Sequence, residues 1–128
     1  MTSKSFTVSD YHELLALHRA LLEAKFCDEP NDLDISASPI ISEMHKKLVK
    51  LLQEIEAGKN KDQVNHAWDE WLSIDQSRRE WQVALTRARS ERSWADWNEA
   101  QKKKYVYDLL SPFILDEEAA KKFIDSVR

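Results

Sequence analysis

VNHAWDEWLSIDQSRREWQVALTRARSERSWADWNEAQKKKY, residues 64–105, holds all five tryptophans of the chain and most of its arginines. Indole rings bury more area than any other side chain, so the core must be arranged around them. Within this stretch apolar residues return at steps of three and four: Val64, Trp68, Trp71 and Leu72, then Trp81, Ala84, Leu85 and Ala88. That spacing is helical, and no segment alternates with period two for long enough to make a strand. Tryptophan and arginine are also the residues most enriched at binding hot spots, so the same stretch is the first place to look for function.

Working outward, the rest of the chain follows the same period. A helix is expected from near Thr7 or Ser9 to about Phe26, with Tyr11, Leu14, Leu15, His18, Leu21 and Leu22 along its apolar stripe and Lys25 inside it. Ser38 as cap, Pro39 at the first helical position and Gly58 past the end delimit the clearest helix. Its inner face is expected to be Ile41, Met44, Leu48, Leu51, Leu52 and Ile55, with His45 on the shoulder. A helix over about Gln63–Ser73 is expected behind Asp62, and another to about Arg92 behind the capping-box pattern Ser77-x-x-Glu80. The next helix should start after Ser93 and stop before Pro112, and Asp116 should cap a short last one lined by Ala119, Ala120, Phe123, Ile124 and Val127. The expected fold is all-α, a compact irregular bundle of five or six helices without a sheet. At 128 residues it fits one domain, 1–128, with 1–8 as a flexible N-terminal segment.

Composition narrows the function classes. The formal net charge of −4 disfavours nucleic acid as the main partner. Charge is uneven: residues 1–35 carry three Lys/Arg against seven carboxylates, and residues 75–105 carry eight against five. Such a dipolar chain can pair with itself or with a charged partner. The one cysteine, Cys27, has no internal partner, the opening MTSKSFTVSD has neither an apolar run nor a cleavage site, and no apolar stretch approaches the roughly 18 residues a membrane span requires. These point to a cytoplasmic protein.

No segment carries the pattern of a known chemistry. The acidic loop 27–38, CDEPNDLDISAS, lacks the glycine of a calcium loop, and the twelfth position from Asp28 is Pro39 instead of a glutamate. With Gly58 the sole glycine, backbone cradles for phosphate are excluded, and there is no Gly-x-Ser-x-Gly elbow. Carboxylates around Cys27 disfavour a thiolate nucleophile. Neither HExxH nor a repeated Glu-x-x-His is present. No cofactor and no catalytic residue are assigned on this basis.

Two constellations remain. Projected as one helix, Trp94, Trp97, Gln101, Lys104, Tyr105 and Asp108 share a broad face that mixes rings with hydrogen-bonding groups. Either the rings pack inward with their polar tips in water, or the face meets a partner. Arg78 and Arg89 flank the preceding helix's stripe and Arg92 extends it, while Arg79 and Arg87 point elsewhere, so no single basic stripe forms for nucleic acid. The leading expectation is a protein-interaction domain, self-pairing included, that uses Arg78, Arg89, Arg92, Trp94, Trp97, Gln101, Lys104 and Tyr105. The second constellation is His18 with His45, mid-helix residues that reach one level if their helices run antiparallel. They are either a satisfied buried pair or a ligand or metal site completed by Asp108.

Overall fold

The computed structural model describes residues 4–58 and 60–127. Six α-helices follow one another: α1 Tyr11–Phe26, α2 Pro39–Ala57, α3 Lys61–Leu72, α4 Arg79–Arg89, α5 Glu99–Leu110 and α6 Glu117–Ser126. A 3₁₀ turn over Trp94–Asp96 lies between α4 and α5. The described residues form no sheet; one isolated parallel bridge, Ser73 to Ile114, pins the segment after α5 beside the end of α3. The expected all-α bundle is therefore the fold.

The apolar stripes find their partners in two clusters. Leu14, Leu48 and Leu52 make the smaller core, covered by Leu15, Leu21 and Trp68 of α1 and α3, and by Val8. The larger core joins Trp81, Ala84, Leu85 and Ala88 of α4 to Val106, Leu109 and Leu110 of α5, Phe123 of α6 and Phe26 from the end of α1. Helices α1 and α2 are antiparallel neighbours, since Tyr11 donates to Glu56 and His18 meets His45. Of the segment expected to be flexible, residues 1–3 lie outside the described ones; the remainder up to Asp10 carries no helix.

The helix ends show which local rules were followed. Ser38 caps α2 through the Ile41 amide, Pro39 opens it, and Gly58 closes it at φ 42°, a conformation that favours glycine. Asp116 caps α6 through the Ala119 amide. Elsewhere the expected caps give way. Asp10, not Thr7 or Ser9, accepts from the Glu13 amide and sets the start of α1. α3 begins at Lys61, ahead of the expected Gln63, behind Asn60 and without a side-chain cap. Ser77 turns back to Asp75, to which both its amide and its hydroxyl donate, and Glu80 pairs with Arg78 instead of closing a box.

Two larger departures matter for function. The inner face of α2 is rotated: Ser42, His45, Leu48, Val49 and Leu52 are buried, while Ile40, Met44, Leu51 and Ile55 stay exposed along the opposite edge. His45 is drawn inward by His18 on α1, and the Ser42 backbone carbonyl accepts from Ser111 after α5, while the buried Ser42 hydroxyl has no partner. The second departure is at α5. Asn98 and Gln101 form a reciprocal capping box, so the helix starts at Glu99 and leaves Trp94 and Trp97 on the preceding turn.

Candidate functional site

An aromatic corner sits where the chain turns from α4 into α5. Trp94, Trp97 and Tyr105 form a triangle with ring centroids 6.2, 6.0 and 5.0 Å apart, and Lys102 lies over the Trp94 ring at 5.3 Å. Tyr105 lies on the first turns of α5, and the 3₁₀ turn brings the two indoles back against it. Residues expected to share one helix face thus meet, but through a turn and a helix. Trp97 and Tyr105 are half-buried. Burial, reinforced by nearby Glu91, pushes the Tyr105 hydroxyl up to about 12.

Two clefts open on this corner and share Ala37, Pro39, Trp97 and Tyr105. The first, about 600 Å³, runs between the acidic loop and the C-terminal half of α4, with Asp34, Arg87 and Glu91 among its walls. The second, about 460 Å³, runs along α5 past Gln101, Lys104 and Asp108. Together they make one groove with rings at its middle and polar groups at both ends. Leu33, 72% exposed, stands on the rim.

The groove exists because Arg87 holds the loop in place. Its guanidinium donates to the Lys25 carbonyl at 2.7 Å and to the Cys27 carbonyl, and Arg79 pairs with Asp28. In helical projection both arginines point away from Arg78, Arg89 and Arg92, so the sequence does not mark them as site residues. The signal was the acidic loop itself, which needed cations from α4.

The other expected arginines are scattered. Arg78 lies over Phe113 at 4.2 Å and Trp71 at 5.1 Å and donates to the Trp71 and Ser73 carbonyls, bracing the start of α4. Arg89 donates to the Ser126 carbonyl at the end of α6, and Arg92 is exposed after α4. Eleven residues of helix, roughly 16 Å, separate Arg78 from Arg89, so the three arginines do not form one surface with the corner.

His18 and His45 do meet: Nδ1 of His18 lies 2.9 Å from Nε2 of His45. His45 is fully buried and its own Nδ1 has no partner. Burial lowers the affinity of both rings for a proton, taking His45 down to about 3 with help from His18 and Lys25. Asp108 does not join them. Its carboxylate pairs with Lys104 on the preceding turn of α5, and among the described residues no group of three or more His, Cys, Asp or Glu side chains is placed to hold a metal. The trio His18, His45 and Asp108 is therefore not assembled as a metal centre.

Between the two cores runs a buried polar seam absent from the sequence expectation. Lys25, only 1% exposed, donates to the Asp108 carbonyl at 2.8 Å and to the Ser111 carbonyl, at the C-terminal end of α5 where a cation suits the helix dipole. Ser111 donates to the Ser42 carbonyl, and Ser36 to the Lys25 carbonyl.

No protein-family model matches the chain, and neither curated proteins nor solved structures give a match. No described helix is long and apolar enough to cross a membrane.

Proposed function

We propose that the protein is a cytoplasmic interaction module that takes an extended segment of a partner protein into the groove centred on Trp97 and Tyr105. The observation that carries this reading is the shared position of these two rings in both clefts. Half-buried aromatic rings with hydrogen-bonding groups on either side are the usual anchor of a binding hot spot. The charge of the rim selects the partner. Asp34 and Glu91 line the broader end, and Glu29 and Asp32 are exposed in the same loop. The segment expected there has an apolar anchor residue for the rings and basic residues on the side that faces the loop.

Selection of a random displayed peptide library on the full chain tests this. Enriched peptides should pair an aromatic or aliphatic residue with nearby Lys or Arg, and Trp97→Ala should abolish their binding while the protein stays folded. Affinity should also fall as salt is raised, because exposed carboxylates are screened. Failure to enrich any sequence, or binding indifferent to Trp97→Ala, contradicts the reading. The solution mass of the free chain separates a foreign partner from a second copy of this one.

A further inference from the structure

A further cleft, of about 510 Å³, opens between α1 and α3 and shares no lining residue with the two at the aromatic corner. Leu15, Leu22, Val64, Trp68 and Trp71 give it apolar walls, and the buried His18 lines it among them. Its size falls within the ordinary range of small-molecule sites, which combine apolar walls with one or two convergent polar groups. The tip of Trp68 is already occupied, since its indole N–H donates to Glu56 at 2.8 Å; its ring is what remains for contact.

The buried half of the histidine pair fixes what His18 offers. One proton lies between His18 Nδ1 and His45 Nε2, and either ring can supply it. Were His18 the donor, the proton on His45 would sit on Nδ1, which is fully buried and partnerless. A buried N–H without an acceptor is rarer and costlier than a bare acceptor nitrogen. The favoured arrangement has His45 Nε2–H donating to His18 Nδ1. The proton of neutral His18 is then on Nε2, the nitrogen left for the cleft.

From this geometry we infer that the α1–α3 cleft binds a small, uncharged, largely apolar molecule bearing one hydrogen-bond acceptor, such as an aromatic ketone, which receives the His18 Nε2–H. Arg19 and Glu56, of opposite sign, both line the cleft, so neither an anion nor a cation is selected. This site is independent of the Trp97 groove, and either can fail without the other.

The test is a titration of the full chain with acetophenone and with its isostere α-methylstyrene, which replaces the carbonyl oxygen by a methylene. It is followed by the indole N–H resonances of Trp68 and Trp71. Acetophenone should shift both saturably and bind about tenfold more tightly than the isostere, the worth of one buried hydrogen bond. Ala67→Trp, on an exposed position of α3 at the cleft, fills the site with both histidines left in the sequence and should abolish binding. His18→Gln, which keeps an N–H donor, should retain the preference for the ketone, and His18→Leu should lose it. Absence of saturable shifts, equal affinity for the two probes, or shifts that survive Ala67→Trp would overturn the inference, whether or not the His18 variants fold.

Discussion

Lys25 is a cation almost wholly removed from water, with two carbonyls for company and desolvation holding it down to about 7. An unfolded chain would keep that lysine protonated up to its ordinary 10.5. Between those values the unfolded state binds the extra proton, so folding stability rises with pH. Linkage gives a gain on the order of 2 kcal/mol from pH 7 to pH 9. Denaturant titrations at the two pH values should show it, and Lys25→Met should flatten the difference. His45 acts with the same sign lower down. Its folded value near 3 lies below the ordinary 6.5, so the unfolded chain takes up the proton first as pH falls. Stability held at pH 7 should therefore be lost below about pH 6.5, by on the order of 2 kcal/mol at pH 5 from this ring alone. His45→Gln should shrink the acid slope. The sequence puts Lys25 and His18 within an apolar stripe and His45 on the shoulder of another, which is enough to mark them as unusual. It could not supply their partners, because the carbonyls of Asp108 and Ser111 lie more than eighty residues from Lys25.

At the scale of the element, α2 separates what local rules decide from what packing decides. Its ends follow from Ser38, Pro39 and Gly58 alone, and Gly58→Ala should cost about 1 kcal/mol for its φ of 42°, with no clash to add. Its face does not follow from hydropathy. Counting apolar residues puts Ile41, Met44, Leu48, Leu51, Leu52 and Ile55 on the inner face, yet the helix turns toward Ser42 and His45, so that His45 meets His18 and the Ser42 carbonyl accepts from Ser111. Leu52→Ala should then cost about 2–5 kcal/mol, and Met44→Lys, one face over, no more than about 0.5 kcal/mol. Thermal unfolding of the two variants checks the rotation; equal losses would contradict it. The start of α5 shows the same limit. Ser93 and Asp96 resemble a helix start, but Asn98 with Gln101 satisfies two free amides at once and wins. The stripes of α4 and α6 were legible because their faces are apolar throughout and nothing polar competes for the interior.

Taken whole, the molecule is two apolar cores joined across a buried polar seam, with a groove at one outer corner. Seam and groove share a support: Arg87 grips the loop at the carbonyls of Lys25 and Cys27, so the wall of the groove is tied to the chain that carries the buried lysine. Arg87→Ala should thus weaken peptide capture even though its guanidinium is spent on carbonyls within the fold. The claim on which this functional reading rests is that the Trp97 indole serves contact with another molecule more than it serves the core. Equilibrium denaturation of Trp97→Ala beside Trp81→Ala measures that directly, since Trp81 is 2% exposed in the larger core and Trp97 is half-buried at the corner. The prediction is a loss of about 3–5 kcal/mol for Trp81→Ala and only about 1–2 kcal/mol for Trp97→Ala. A loss for Trp97→Ala as large as that for Trp81→Ala would make Trp97 a core residue and leave the groove without its anchor.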